Sequence, residues 1–177
     1  MSYSYKNLPK KSGSPGLGAT VYLAPISSFD TIAGVPTGGV TQGDTVIIVD
    51  DHEFLTGKGF IKAYSTQEFT DMTGETSGEV DSKTMNWTVK AWLPGASPEA
   101  SEFVKNGLNE EGFIVLVKDA DCSSGQQYQV GTHCTPAKLE AKFESGTLGN
   151  GKKGFEIMLK ASLPYLLFYS GDIVLQP

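Results

Sequence analysis

The sequence contains no arginine, and all fourteen of its basic residues are lysines. The guanidinium group is the side chain that binds phosphate, carboxylate or guanine through two parallel hydrogen bonds, so recognition of that kind is excluded. The formal net charge is -6, and the basic residues cluster only in pairs such as Lys10 with Lys11. Because nucleic-acid-binding proteins gain affinity by neutralising phosphates, this composition argues against nucleotide chemistry and against tight DNA or RNA binding.

Long apolar runs are also missing. No run approaches the roughly 20 residues that a membrane-spanning helix requires, and the first eighteen residues lack the apolar stretch of a secretory signal. We therefore expect no membrane span and synthesis in the cytoplasm. Only two cysteines are present, Cys122 and Cys134. A disulfide between them remains open, although cytosolic redox chemistry favours reduced thiols.

Catalytic and metal-binding groups are scarce. The two histidines, His52 and His133, accompany no G-x-S-x-G nucleophile motif. Cys122, His133 and Cys134 lack the paired C-x-x-C spacing of a zinc site. The run 50–53 (DDHE) holds four potential ligands, but neighbours on a strand point to opposite faces, which favours a solvated turn over a metal site. We predict no catalytic residue, no metal and no cofactor, and hence no enzyme.

One glycine-rich segment partly fits a phosphate-binding loop. GTLGNGKK, residues 146–153, matches G-x-x-x-x-G-K, but Lys153 stands where Ser or Thr would bind magnesium. A strand-like pattern follows it, whereas a phosphate loop needs a helix N-terminus there. Since Asn150-Gly151 is a strong hairpin signal, a turn between two strands is the favoured interpretation.

The patterns that are present indicate β-structure. A chain of 177 residues with 39% apolar composition predicts one domain, and we place an N-terminal arm at 1–18 and a single β domain at 19–177. The fold class predicted is mainly β: an antiparallel β-sandwich or barrel of about eight strands with one flanking α-helix. An extended polar loop is predicted at 67–82, because that segment has almost nothing to bury.

Four segments carry the strongest local signals. In TMNWTVKAWL, residues 84–93, apolar and polar residues alternate with the period of a half-buried strand. Ser97 and Pro98 begin the one convincing helix. GFIVLVKD, residues 112–119, is apolar at nearly every position, so we expect it to be covered on both faces, on one of them by that helix. A hairpin is predicted between DTVIIVDD and GKGFIKAYST, and a meander of three strands from residue 126 to 163.

One predicted strand has a charged row. Residues 137–144 alternate apolar with charged, which places four charges of alternating sign on one face: Lys138, Glu140, Lys142 and Glu144. Such a row is typical of a solvated sheet surface, and it equally suits a registered interface with another strand.

The order of these features over residues 19–175 resembles phage tail tube (major tail) proteins, a ring-forming family that includes the inner-tube proteins of contractile injection systems. The resemblance implies hexameric rings that stack into a conduit for DNA or effectors, in a virion tail made in the bacterial host. Its implied partners are other copies of the chain, other tail or virion proteins, and DNA in transient, non-specific passage. It makes the arm and the polar loop assembly contacts (Lys10, Lys11, Glu68, Asp71, Glu75, Glu79 and Asp81), and it lets the charged strand row line the lumen.

Two other interpretations stay open. Another β-rich virion protein fits the same patterns. A carbohydrate- or peptide-binding β-sandwich module would use exposed aromatic rings as a contact platform, for which the candidates are Trp92, Tyr64 and Tyr128.

Overall fold

The computed structural model describes residues 16–36, 41, 43–120, 125–149 and 151–177. These residues form twelve strands and a single α-helix, α1 (Pro98–Gly107). The strands are β1 (Leu17–Pro25), β2 (Phe29–Thr31), β3 (Ile47–Ile48), β4 (Glu53–Phe54), β5 (Ile61–Tyr64), β6 (Asp71–Ser77), β7 (Thr84–Pro94), β8 (Phe113–Asp119), β9 (Gln127–Val130), β10 (Lys138–Glu144), β11 (Gly154–Ser162) and β12 (Leu167–Tyr169). Strand β1 begins two residues inside the predicted arm.

The strands form two main sheets and one small sheet. The six-stranded sheet has the order β3-β12-β9-β8-β1-β5, the four-stranded sheet has the order β10-β11-β7-β6, and β2 pairs with β4. Every pair of strands is antiparallel except β12 with β3. The predicted fold class is confirmed: the chain is a β-sandwich with one helix.

The main core lies between apolar rows of the two large sheets. On β7 the predicted alternation is confirmed, since Trp87, Val89 and Ala91 are buried while Asn86 is exposed. The rows that meet in the core come from four strands: Val21, Leu23, Val115, Val117, Val89, Ala91, Ile157 and Leu159. The burial of these side chains is the main favourable contribution to folding.

Strand β8 is covered on both faces, as predicted, but the helix is not the cover. Leu116 pairs with Gln129 in β9, so their side chains share a face, and Gln129 contacts a layer of aromatic side chains built around β2 and β4. Helix α1 begins at Ser97, whose Oγ accepts a hydrogen bond from Ala100 N at 3.2 Å. It buries little more than Val104 and Gly107, which is too small a face to cover a central strand.

Two predicted connections between strands are wrong. No hairpin joins the segments around β3 and β5: β3 pairs with β12, and β5 pairs with β1. The terminal meander is also interrupted, since β9 belongs to the six-stranded sheet and β10 to the four-stranded sheet. The hairpin of β10 and β11 is confirmed, and the segment that resembles a phosphate loop is its turn.

The polar loop predicted at 67–82 is wrong over most of its length. After a 3-10 turn (Gln67–Phe69), β6 pairs along its whole length with β7. The segment is polar because β6 is an edge strand with one face in solvent. On its inner face, Gly74 has no side chain, and the six-membered ring of Trp87 occupies the space where a Cβ would lie.

Gly74→Ala is therefore expected to destabilise the fold. The new methyl group meets an indole that is fixed by its own hydrogen bond from Nε1 to Leu163 O, at 3.0 Å, and overpacking of this kind costs about 1–3 kcal/mol. Urea unfolding measures the change. The neighbouring Thr73→Ala, on the exposed face of the same strand, is the control and should shift stability by about 0.5 kcal/mol or less; equal losses in the two variants would contradict the explanation.

Candidate functional site

The outer side of the four-stranded sheet carries charges of both signs. Residues paired across an antiparallel sheet share a face, so the registers place one polar set opposite the core. We call this set, which is polar except for Met158, the solvent face: Asp71, Thr73, Glu75 and Ser77 of β6, Thr84, Asn86, Thr88 and Lys90 of β7, Glu156, Met158, Lys160 and Ser162 of β11, and Lys138, Glu140, Lys142 and Glu144 of β10. Trp92 lies on the same side of the sheet, opposite Glu156, but it is buried under Phe69 and Lys152. The four predicted charges of β10 are thus brought together on the solvent face.

Lysines and carboxylates pair within the solvent face. Lys160 Nζ lies 2.6 Å from Glu140 Oε2, and Lys142 Nζ lies 2.9 Å from Glu144 Oε1. The hydrogen bond to Glu144 raises the pKa of Lys142, and the same bond lowers the pKa of Glu144. Exposed ion pairs of this kind add little to stability, so their main effect is to neutralise one another's charge.

The backbone groups of the four-stranded sheet show which residues face its two open edges. Leu163 N donates to Met85 O at 2.9 Å, and Gly95 N donates to Lys153 O at 2.8 Å. Successive residues of an antiparallel strand bond to opposite sides, so the odd-numbered residues of β7 and β11 bond to each other. It follows that the N–H and C=O groups that point outward are the even-numbered ones on β6 and the odd-numbered ones on β10.

Three residues on each edge present such groups. Just before β10, the N–H and C=O groups of Ala137 are bonded to Phe113, with N···O distances of 2.9 and 2.8 Å. In the described part of the chain no backbone partner is found for the remaining outward groups, which belong to Leu139, Ala141 and Phe143 on β10 and to Met72, Gly74 and Thr76 on β6. Unpaired strand edges are templates for pairing with another chain.

The edges of the six-stranded sheet are shorter or partly covered. Strand β3 has two residues. At β5, Phe60 N donates to Val174 O at 2.8 Å and Gln176 N donates to Phe60 O at 3.0 Å, so the C-terminal segment covers the start of that edge. The longest open edges of the described structure are therefore those of β6 and β10.

The two hairpins of the four-stranded sheet project from its opposite ends. The β10–β11 turn lies beyond the pair Glu144 and Gly154, and the β6–β7 turn lies beyond Ser77 and Thr84. Each turn carries an exposed apolar side chain. Leu148 is fully exposed in the first, and Val80 is 79% exposed in the second.

The predicted acidic contact residues lie before β6, along β6 and in the β6–β7 turn. All five are exposed: Glu68, Asp71, Glu75, Glu79 and Asp81. Asp71 and Glu75 lie on the solvent face, whereas Glu79 and Asp81 lie in the β6–β7 turn. Lys10 and Lys11 lie outside the described residues.

The proposed aromatic platform is not assembled. Trp92 is only 3% exposed, so its predicted role as a contact residue is wrong. Lys152 Nζ lies 4.0 Å from the centroid of the Trp92 ring and 3.5 Å from the centroid of the Phe69 ring. Lys152 and Phe69 together cover the indole of Trp92. Tyr64 is 61% exposed and pairs with Thr20 of β1, so these two side chains share a face of the sheet. Tyr128 pairs with Val117 of β8, which in turn pairs with Val21 of β1, so Tyr128 lies on the face of Val21. The two tyrosines therefore project from opposite faces of their sheet.

His52 is buried, which corrects the solvated turn predicted for residues 50–53. The side chain is 2% exposed and stacks on Tyr169 with ring centroids 4.7 Å apart. Its Nδ1 accepts from Ala33 N at 3.1 Å, so Nε2 carries the proton and donates to Gln129 Oε1 at 2.9 Å. Burial lowers the pKa of His52, against smaller opposing effects of Gln129 and Asp51. The sequence did not predict this burial because the neighbouring Asp51 and Glu53 are charged and exposed, which indicated a solvated turn.

The lowered pKa predicts an acid-sensitive fold. The unfolded chain takes up a proton at His52 near pH 6.5, before the folded chain does, so stability is fully present above that pH. It falls as the pH drops from about 6.5 to the folded pKa, with a slope of at most about 1.4 kcal/mol per pH unit from this residue. Urea unfolding between pH 7.5 and pH 5 measures the slope.

Two variants separate this contribution from the rest of the chain. His52→Asn should be less stable at pH 7.5 and should lose most of the slope, whereas His133→Asn should keep it because His133 is exposed. An unchanged slope in His52→Asn would show that another group carries the acid sensitivity.

Metal and membrane sites receive no support from the described residues. Within them no three His, Cys, Asp or Glu side chains gather as a metal site, and no helix there has the length and apolarity to cross a membrane. Cys134 is a free, exposed thiol, and Cys122 lies outside the described residues.

Comparisons with family models, with curated proteins and with solved structures found no match to this chain.

Proposed function

We propose that the protein is a structural subunit that assembles into rings, hexameric as in the tail tube family it resembles, and that the rings stack into a conduit for DNA or effectors. The observation that carries this proposal is the four-stranded sheet, which has two open edges, one apolar face and one charged face.

The direction of the strands supports closure into a ring. The sheet has an even number of antiparallel strands, so its edge strands β6 and β10 run in opposite directions. When β6 of one copy meets β10 of the next, the junction is again antiparallel, and every copy is related to its neighbour by the same rotation. A head-to-tail interface whose rotation closes produces a ring.

Ring closure also removes the unpaired edges and creates a channel. Six copies of a four-stranded sheet would form a barrel of about 24 strands, more than the 16–18 strands that already leave an aqueous channel in porins. The core side of the sheet must face the rest of each subunit, so the solvent face lines the lumen.

The chemistry of the solvent face suits passage rather than binding. Its lysines include Lys142 and Lys160, which are paired with carboxylates, and the chain has no arginine. DNA affinity grows with the number of phosphates that are neutralised, so a lumen of paired charges would hold DNA weakly.

Stacking of the rings is assigned to the two ends of the sheet and to the arm. Val80 and Leu148 stand at opposite ends, where consecutive rings meet. Glu79, Asp81, Lys10 and Lys11 are the charged candidates for the same contacts.

Purified protein is expected to form rings or tubes in negative-stain electron micrographs and large particles by light scattering. Deletion of residues 1–15 should shorten or abolish the tubes, because the arm has no apolar period with which to pack on its own domain. A variant with the arm replaced by a Gly-Ser stretch of equal length controls for length. A chain that stays monomeric at high concentration, or tubes that form equally without the arm, would count against the proposal.

Val80→Asp and Leu148→Asp should each permit rings but reduce their stacking, since a charge replaces an apolar contact at the end of the sheet. Val49→Asp is the matched control, because Val49 is also exposed but lies beside β3 in the other sheet. Micrographs that count single rings and tubes measure the effect. Equal stacking in all three variants would remove the two hairpin turns from the ring-to-ring contact.

A further inference from the structure

We propose that β6 of one copy pairs with β10 of the next in a single register, in which Asp71 faces Lys142 and Glu75 faces Lys138. This inference rests on the proposed function and goes beyond it, because it commits to one arrangement of the contact between two copies of this chain.

The backbone restricts the junction to a few registers. Outward N–H and C=O groups belong to even-numbered residues on β6 and to odd-numbered residues on β10, as derived above from the hydrogen bonds of β7 with β11. An antiparallel junction that bonds these groups must therefore pair even with odd. Allowed registers differ by steps of two residues, and each of them keeps solvent-face residues opposite solvent-face residues.

In the proposed register the bonded pairs are Met72 with Ala141 and Gly74 with Leu139. Each pair places a larger side chain opposite a smaller one on the core side of the sheet. Thr76 falls opposite Ala137, which is already bonded to Phe113, so the outward groups of Thr76 stay unpaired and two residue pairs bond.

Charge then selects among the allowed registers. The proposed register sets both carboxylates of the β6 solvent face opposite lysines and sets Glu140 opposite the neutral Thr73. Glu140 is also paired with Lys160 in its own subunit, with an N···O distance of 2.6 Å. Opposite charges that face each other across strands attract, and like charges repel.

The neighbouring registers lose this match. A step of two residues in one direction sets Asp71 opposite Glu144 and Glu75 opposite Glu140, so both contacts become repulsive. A step of two in the other direction sets Asp71 opposite Glu140. It also sets Gly74 opposite the occupied Ala137, so Met72 with Leu139 is the one bonded pair that remains, against two in the proposed register.

Larger steps lose one of the two contacts altogether. A step of four in either direction keeps one attractive pair and carries the other carboxylate past the end of its partner strand. A step of two toward Glu144 would bond three residue pairs, but the proposed register is the one in which both carboxylates of β6 face lysines, so charge selects it.

The first test reverses the charge of one edge at a time. The double variants Asp71→Lys/Glu75→Lys and Lys138→Glu/Lys142→Glu should each raise the protein concentration needed for assembly by about tenfold or more, which corresponds to about 1.4 kcal/mol. Circular dichroism and urea unfolding establish that each variant is folded.

Mixing the two double variants should restore assembly. In the mixture each reversed β6 edge meets a reversed β10 edge, and each unchanged edge meets an unchanged edge, so an alternating ring has attractive contacts at every junction. A mixture that assembles no better than its components would overturn the charge assignment.

The second test fixes the register itself. In a chain carrying Cys122→Ser and Cys134→Ser, the pair Thr73→Cys with Glu140→Cys should give disulfide-linked multimers on non-reducing gels, because these positions face each other at the junction and a disulfide requires Cα atoms within about 7 Å. Thr73→Cys with Lys142→Cys is the matched control, which cross-links only if the register slips by two residues.

The outcomes separate this inference from the proposed function. Rings that form without the first cross-link, or with the control cross-link instead, would overturn the register and leave the ring-forming role standing. Absence of rings and of cross-linking in the parent chain and its folded variants would overturn both.

Discussion

The proposed assembly of this protein depends on one constraint, which is that each backbone N–H and C=O group needs a hydrogen-bond partner. Within the described residues the six-stranded sheet meets most of that demand internally, through short edges at β3 and β5 and through the C-terminal segment that bonds to Phe60. The four-stranded sheet does not, because β6 and β10 each leave three residues with outward groups. The proposed assembly follows from where those groups remain unpaired.

The solvent face and the buried histidine show how differently the two sides of the sandwich treat polar groups. On the four-stranded sheet, charges stay in water and pair loosely, as Lys142 does with Glu144. Behind the six-stranded sheet, His52 is enclosed by aromatic rings and every ring nitrogen has a partner. Burial without a partner would be costly, so the enclosed side requires one defined geometry, whereas the open side can accept a second chain.

Local patterns predicted the parts of the fold that are determined locally. The alternation of β7, the cap at Ser97, the apolar run of β8 and the turn between β10 and β11 were all readable from neighbouring residues. The partners of β3 and β5 were not, because their pairing is decided by contacts distant in sequence. Strand β6 was missed although its partner β7 follows it directly, because an edge strand with a glycine on its inner face lacks the apolar alternation that marks a strand. The burial of Trp92 and His52 was missed for the same reason: Lys152, Phe69, Gln129 and Tyr169, which enclose them, are remote in sequence. The charged row of β10 was predicted because it requires only period-two spacing. The structure was needed to show that β6 is the other edge strand of the same sheet.

The placement of the two hairpins at opposite ends of the four-stranded sheet has a consequence for any assembly in which all copies are related by rotation alone. Every β10–β11 turn then points one way along the axis and every β6–β7 turn points the other way. A column of such rings has polarity, with two chemically unlike ends, one presenting Leu148 and the other presenting Val80. A terminating protein could therefore recognise one end and ignore the other, and growth of the column would have a direction built into the connectivity of a single chain.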